Sequence, residues 1–170
     1  MIKYFMVIYM LLVGIENMSA GNLNQEDKVL IEKLINKTLK NQNLVRKSAK
    51  RLSSKEIKSM PKYVIYAKKR YTGKGYIRYL FHKAKNLKKD GIKTLNFSFK
   101  VNKIDCLYLK NDSVNCYVKE SIKATFVSED NFLQRLKAQE RLNIKFYLKK
   151  DAKMWHIEEE NILSFESITL

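Results

Sequence analysis

The sequence is poor in the residues that build metal centres and nucleophilic active sites. Its 170 residues include only two Cys and two His, and without further ligands at suitable spacing these do not predict a metal site. Five glycines are present, but Gly73-Lys74-Gly75 has only a GxG pattern and follows a predicted helix, so it does not predict a phosphate-binding loop. No serine lies in a GxSxG setting. We therefore predict no metal and no cofactor.

Acidic residues are scarce relative to basic ones. The chain has 17 Asp and Glu against 34 Lys and Arg, which gives a formal net charge of +17 at pH 7. Such a charge favours anionic partners. Because the basic residues are spread over every segment, and nucleic-acid recognition requires Arg and exposed aromatics on one face, we predict no specific nucleic-acid partner. The predicted partner is a protein, or an anionic polymer or lipid at the cell envelope; the alternative is a solvated Lys-rich surface.

The first twenty residues contain the longest apolar run. Lys3 precedes apolar residues from Tyr4 to Ile15, a run that is short for a membrane span and typical of an export signal. Ser19-Ala20 offers a cleavage point before Gly21. We predict that residues 1–20 are a signal peptide or short membrane anchor and that the protein is secreted or held at the cell envelope. The alternative is a short buried helix, and the mass of the natively produced protein would distinguish the two.

The two cysteines flank a turn-forming pair, Asn111-Asp112. If Leu109 pairs with Ser113 across a three-residue loop, Cys106 lies directly opposite Cys116 in a hairpin, at a separation that suits a disulfide. An exported protein permits such a bond. The alternative is two reduced cysteines that point into a core.

The densest basic region lies in the first half of the chain and is interleaved with tyrosines. Its members are Arg46, Lys47, Lys50, Arg51, Lys68, Lys69 and Arg70. Together with the tyrosines at positions 63, 66, 71, 76 and 79 they predict a cationic surface for anionic polymer or lipid head groups. In the alternative, which we prefer, the tyrosines are half-buried over an apolar interior and the lysines keep the exterior soluble.

Helical spacing dominates before Gly91. Asn24 is a candidate cap for a first helix that carries Leu30, Ile31, Leu34, Ile35 and Thr38 and ends at about Gln42. A second helix start is predicted at residues 53–56. Pro61 suits the first turn of a short helix over 62–70. A third amphipathic helix starts at about residue 76, after the break at Gly73 and Gly75, and ends at Asp90-Gly91 in a left-handed cap.

After Gly91 the hydrophobic period changes to two, which is typical of strands with one buried face. The alternating positions are Leu95, Phe97, Phe99 and Val101; Val114, Cys116, Val118, Ile122, Ala124 and Phe126; and Leu142, Ile144, Phe146 and Leu148. A connection with a helical turn is predicted over 128–141. Trp155 and Ile157 share one face of the last strand and are the predicted core anchor. The pattern predicts one α+β domain over residues 24–165, with helices on one curved antiparallel sheet.

The strand region resembles the cone-shaped nuclear-transport-factor-2-like (cystatin-like) superfamily over residues 24–160. The matching residues are Asp90-Gly91, then 115–126, then Tyr147 to Lys150, and finally Met154-Trp155-His156-Ile157. The resemblance implies that Trp155 closes a hydrophobic interior between helices and sheet. It does not imply one activity, because the fold hosts isomerases, dehydratases, secretion-channel domains and binding modules.

An enzyme of this fold would hold an acid or base inside the cone. Glu120 follows the alternation of Val118 and Ile122 and is the one carboxylate we consider as a catalytic candidate, although an exposed acid past a strand bulge is the preferred interpretation. His82 and His156 are predicted surface residues. We therefore assign no catalytic residue.

We predict an exported, non-catalytic binding or assembly module with a small apolar pocket and a basic surface, able to form a homodimer through the sheet face. This hypothesis requires an interior without paired ionisable groups. The first alternative is a small-molecule enzyme with Glu120 or a histidine as base and a nearby tyrosine. The second is an extracytoplasmic component of a secretion or conjugation channel, and the third is an intracellular nucleic-acid binder.

Overall fold

The computed structural model describes residues 23–131 and 135–169. The predicted export segment, residues 1–20, lies outside them. The helices are α1 (Gln25–Ser48), α2 (Ser54–Lys58) and α3 (Gly73–Lys89), and the strands are β1 (Tyr63–Tyr66), β2 (Lys69–Thr72), β3 (Ile92–Leu109), β4 (Ser113–Ser128), β5 (Arg135–Asp151) and β6 (Met154–Thr169). Within this part of the chain, no helix has both the length and the apolar character needed to cross a membrane.

The six strands form one curved, unclosed sheet in the order β2-β1-β6-β5-β4-β3. The helices pack on it, which confirms the predicted α+β class. The sheet is mixed rather than wholly antiparallel, because β1 runs parallel to β6 while every other neighbouring pair is antiparallel. A parallel neighbour arises here because β1 reaches the edge of β6 from the helical half of the chain rather than through a hairpin.

Helix α1 begins at the predicted cap, where the Asn24 side chain accepts a hydrogen bond from the Asp27 backbone N–H. It ends at Ser48 rather than at Gln42, because no Gly or Pro interrupts residues 43–48 and the left-handed residue that ends it is Ala49. The additional helical residues, 43–48, extend the buried side of α1. Arg46, four residues after Gln42, lies on the buried side of the helix.

The short helix predicted over 62–70 is wrong, because this segment forms the hairpin of β1 and β2. Ala67 and Lys68 form its turn with positive φ angles. Pro61 is buried ahead of β1 and restricts its neighbour to extended backbone, which suits a strand as well as a helix start. The chain then passes so close to itself that a Cβ on Gly73 would lie 1.7 Å from the Pro61 carbonyl oxygen.

The predicted alternation on β4 and β5 is confirmed at nearly every position. The buried side chains are Val114, Cys116, Val118, Ile122, Ala124, Leu142, Ile144, Phe146 and Leu148. Leu109 pairs with Ser113 and Cys106 with Cys116, and the structure joins the two cysteines by a disulfide. The helical turn predicted within 128–141 is wrong for the described residues 135–141, which are the start of β5.

A bulge on β3 takes one residue out of the predicted apolar alternation. Between Thr94 and Asn96 the β3–β4 register slips by one residue, and the extra residue, Leu95, is 49% exposed. A bulge adds one unpaired residue to one strand, so Leu95 leaves the predicted face and the alternation resumes at Phe97. Beyond it, Phe97 and Val101 are partly buried against the core as predicted, whereas Phe99 is 36% exposed.

Trp155 fastens the sheet to the first turn of α1. The indole is buried, and its Nε1–H donates to Asp27 Oδ1 over 2.8 Å. Lys150 Nζ bonds both oxygens of the same carboxylate at 2.8 and 2.9 Å and lies 5.6 Å from the indole ring centre. These two donors, Lys150 foremost, lower the pKa of Asp27. The predicted anchor thus combines apolar packing with a charged hydrogen bond.

Candidate functional site

A small cavity lies between α3 and the inward faces of β3, β4 and β5. Its volume is about 100 Å³. Most of its wall is apolar and includes Leu80 of α3, Phe97 of β3 and Ile122 of β4. Three charged side chains also line it: Arg46, Lys83 and Glu140. Apolar walls with a few polar groups are typical of small-molecule sites.

Arg46 connects this cavity to a buried polar network. Its side chain is 16% exposed. Its Nη1 donates to Asn43 Oδ1 over 3.0 Å and lies 3.7 Å from Glu120 Oε2, while its Nη2 donates to the Tyr76 hydroxyl over 3.2 Å. Burial opposes the charge of Arg46, but Tyr76 and Glu120 outweigh it and raise the pKa of the guanidinium. Arg46 is therefore a fixed cation at the edge of the cavity.

Glu120 lies behind Arg46, in the protein interior. Its side chain is fully buried, and Oε1 accepts a hydrogen bond of 2.6 Å from Asn43 Nδ2. Burial raises the pKa of its carboxyl, and Arg46 and Asn43 partly offset this. The inward position suggested by the alternation is the one observed, and the preferred interpretation as an exposed acid is wrong. Glu120 is absent from the cavity wall, and its link to the cavity is the contact with Arg46.

Glu160 is a second buried carboxyl, on β6. Its Oε2 accepts a hydrogen bond of 2.6 Å from Gln42 Nε2 of α1. Burial raises the pKa of Glu160 to about 7, against the lowering effects of Gln42 and Arg46. Sequence reasoning missed this residue, because an extra residue between the pairs Tyr147–Glu159 and Leu148–Ile157 shifts the faces of β6 and turns position 160 inward.

Several buried polar atoms in and beside the network lack a hydrogen-bond partner. Among the described residues, Glu120 Oε2, Glu160 Oε1 and Gln42 Oε1 have no hydrogen-bond partner, and neither does Asn41 Nδ2. Three of these four buried atoms are acceptors. Buried polar atoms are nearly always paired, so the interior can take up further donors, such as protons.

Four tyrosines cover the network from the side of α3 and the β1–β2 hairpin. Tyr66, Tyr71, Tyr76 and Tyr79 form a contiguous cluster, with ring centres 5.6 to 6.4 Å apart. Burial raises the pKa of Tyr76 and keeps its hydroxyl neutral. The alternative in which tyrosines are half-buried over the interior fits Tyr66, Tyr71 and Tyr79.

The predicted basic surface is divided by the fold. Lys47, Lys50 and Arg51 are exposed beyond the buried turn of α1, and positions 68–70 are exposed on the β1–β2 hairpin. Arg46 is the exception and is corrected from surface residue to interior residue, because α1 continues past its predicted end. The requirement of an interior without paired ionisable groups is likewise not met, since Arg46 and Glu120 form such a pair.

The histidines lie outside this interior. His82 is exposed on α3, and the His156 side chain is 40% exposed, with Nε2 3.9 Å from Asp151 Oδ2. Among the described residues, no group of three or more His, Cys, Asp and Glu side chains is placed to hold a metal ion.

Glu140 is the carboxylate that sequence reasoning overlooked in the cavity wall. It lies on β5 opposite Ile122 of β4. The signal was available, because extending the alternation of Leu142 and Ile144 back by one step places Glu140 on the same face. The predicted helical turn up to residue 141 concealed it.

Comparison with solved structures confirms the predicted nuclear-transport-factor-2-like, cystatin-like fold. A hexachlorocyclohexane dehydrochlorinase, LinA type 3, from Novosphingobium barchaimii is 11% identical, with a TM-score of 0.60 over 84% of this chain and 90% of that chain. A LinA type 2 dehydrochlorinase is 12% identical, with a TM-score of 0.56 over 84% and 89%. No protein-family model and no curated protein matches the sequence. The fold is therefore one that enzymes use.

Proposed function

We propose that the protein binds a small molecule with an apolar body and one anionic group, in the cavity between α3 and β3 to β5. The observation that carries this proposal is the position of Arg46, which lines a mainly apolar cavity while Asn43 and Tyr76 fix its guanidinium. The apolar body contacts residues such as Leu80 and Phe97, and the anion contacts Arg46.

Arg46 is suited to this role by its surroundings. A guanidinium held by other groups loses little side-chain entropy on binding, and its charged hydrogen bonds are stronger than neutral ones. Lys83 adds positive charge at the cavity, whereas Glu140 opposes a second negative charge on the ligand. The net charge of +17 also speeds the approach of anions. These features favour a monoanion.

Benzoate, benzyl alcohol and benzylamine share one ring and differ in charge, so they test the proposal directly. In titrations of the protein at pH 6, followed by calorimetry or NMR shifts, we expect benzoate to bind at least about tenfold more tightly than the alcohol, since a hydrogen bond to a charged group contributes about 1.5–3 kcal/mol. Benzylamine is expected to bind most weakly. Equal affinity for benzoate and benzyl alcohol would contradict the proposal.

Three variants assign the binding to the cavity. R46Q is expected to remove the preference for benzoate, and R78Q, which changes an exposed arginine of α3, is the matched control that leaves it intact. A138L fills the cavity beside Glu140 without altering the charges, so it is expected to weaken benzoate and benzyl alcohol alike. Unaltered affinities in both R46Q and A138L would place binding elsewhere.

A second candidate function is proton abstraction, with Glu140 as general base and Arg46 stabilising the anion formed. It is favoured by the presence of both side chains in one cavity wall and by the use of this fold in the two dehydrochlorinases. The test is exchange of the methylene protons of phenylpyruvate with D2O, followed by proton NMR. A rate no faster than the buffer rate, or one that E140Q does not lower, counts against this function.

Export remains part of the proposal and is supported by the apolar run of residues 4–15. A disulfide between Cys106 and Cys116 is compatible with it. An intact mass that matches a chain starting near Gly21, less two hydrogens, would support both cleavage of the signal and the disulfide. A mass that matches the full-length chain would argue against cleavage.

A further inference from the structure

The buried polar network contains two carboxyl groups and one guanidinium. Glu120 is 1% exposed and Glu160 is fully buried, and Arg46 is the cation that faces both, since it affects the pKa of each carboxyl. With both carboxyls ionised, the buried group of three would carry one uncompensated negative charge. A charge in that position is costly unless a proton neutralises it.

The surroundings of Glu160 identify where such a proton is held. Its Oε1 and the Oε1 of Gln42 are both acceptors without a partner among the described residues, although Gln42 Nε2 already bonds Glu160 Oε2. A proton on Glu160 adds a donor at a place where two buried acceptors lack one. It also removes the charge of a carboxyl that has one hydrogen bond, from Gln42, in a place where buried polar groups need partners.

Each element packed around Glu160 contributes a known neighbour. Helix α1 contributes Gln42 and Arg46, and β4 contributes Glu120. Tyr76 of α3 interacts with it electrostatically. On the sheet, Glu160 lies between apolar residues, Val64 of β1 and Phe146 of β5. Arg46 is the one cation among these neighbours, and it is also the group that meets the cavity.

We propose that an anion bound at Arg46 is taken up together with one proton, which Glu160 receives from solvent. This inference rests on the proposed function, because it requires the anion to occupy the cavity. A bound anion uses part of the positive potential of Arg46 that otherwise stabilises ionised Glu160. The proton then restores the interior charge, so the protein takes up the ligand anion and one H⁺ with no change in net charge.

Coupling of this kind gives binding a definite pH dependence. Free Glu160, with a pKa of about 7, is mainly protonated at pH 6 and mainly ionised at pH 8. Affinity for the anion should fall with rising pH over this range, because the protein must first be protonated. A ligand presented as a weak acid at mildly acidic pH is therefore the favoured class.

Calorimetric titration with benzoate at pH 7.5, in phosphate and in Tris, measures the protons exchanged. Benzoate itself stays ionised throughout, so the exchanged protons belong to the protein. We expect uptake of roughly 0.5–1 proton per benzoate and a roughly tenfold loss of affinity between pH 6.5 and 8.5. An infrared difference spectrum of the same mixture should show a gain of protonated carboxyl signal, which needs no variant.

E160Q is expected to bind benzoate with no proton uptake and with an affinity independent of pH. H82Q, which changes an exposed histidine of α3, is the matched control and should retain the uptake. Benzoate binding without proton uptake, or uptake that persists in E160Q, overturns the coupling and leaves the binding function standing. No benzoate binding at pH 6.5 or 8.5 overturns both.

Discussion

Replacement of Glu160 by Gln is expected to raise the free energy of unfolding by about 3 kcal/mol at pH 8. The carboxyl has a pKa of about 7 in the folded protein and an ordinary value of 4.5, and each unit of difference corresponds to about 1.4 kcal/mol. Glutamine retains the shape and the hydrogen bond to Gln42 but cannot ionise. Its amide also adds an N–H donor to an interior in which Gln42 Oε1 lacks a partner among the described residues.

The pH dependence of this gain follows from its sign. Because burial raises the pKa of Glu160, the folded protein binds more protons than the unfolded chain between pH 4.5 and about 7. The free energy of unfolding of the wild-type protein therefore falls as pH rises through that window. Above the window, the destabilisation caused by ionised Glu160 is constant. The difference between E160Q and wild type should be near zero at pH 4.5 and largest above pH 7.

Urea unfolding of both proteins at pH values from 4.5 to 8 measures this difference. Other titrating groups, such as Asp27 with its lowered pKa, affect both proteins equally and cancel. E166Q, at an exposed carboxylate of the same strand, serves as control and should follow wild type within about 0.5 kcal/mol. If E160Q were less stable than wild type at pH 8, Glu160 would be stabilising as a carboxylate, which contradicts a pKa raised by burial.

Replacement of Arg46 by Gln is the second large effect, and it should lower the free energy of unfolding by about 3 kcal/mol at pH 8. Removing one partner of a buried ion pair costs about 3–5 kcal/mol because the other charge is left uncompensated. Here the abandoned charge is Glu120, whose side chain is fully buried. The remaining hydrogen bond from Asn43 keeps the cost at the lower end.

The double variant R46Q/E120Q isolates this cause. With both charges removed, most of the loss should be recovered, which gives a coupling energy of about 2 kcal/mol in a double-mutant cycle followed by urea unfolding. R78Q is again the matched exposed arginine. Additive effects of R46Q and E120Q would show that the two side chains do not interact. The double variant also provides a stable protein without the cavity cation, on which the benzoate titration can be repeated.

Sequence periodicity predicts the buried faces of β4 and of the later part of β5. A strand has a fixed period of two, so Val118 and Ile122 place Glu120 on the inward face, and the preferred expectation of an exposed acid is wrong. The turn at Asn111-Asp112 sets the hairpin register and places Cys106 opposite Cys116. These inferences depend only on local backbone geometry and on short-range order along the chain.

The other half depended on where elements end, and single-sequence patterns define ends poorly. An end of α1 at Gln42, six residues before the observed end at Ser48, places Arg46 on the surface. Glu140 was hidden by a predicted turn, and Glu160 by a bulge that nothing in the local sequence indicates. The hairpin of β1 and β2 was misassigned because Pro61 suits both a helix start and the residue before a strand.

The polar contacts of α1 determine when this helix can dock during synthesis of the chain. Asp27, Gln42 and Asn43 belong to the first helix of the domain, yet their partners are Trp155, Glu160 and Glu120. Contacts between residues that are far apart in the sequence slow the folding of a domain. A ribosome must therefore deliver almost the whole polypeptide before α1 finds its partners, so a chain truncated ahead of β6 would leave this helix without its final docking surface.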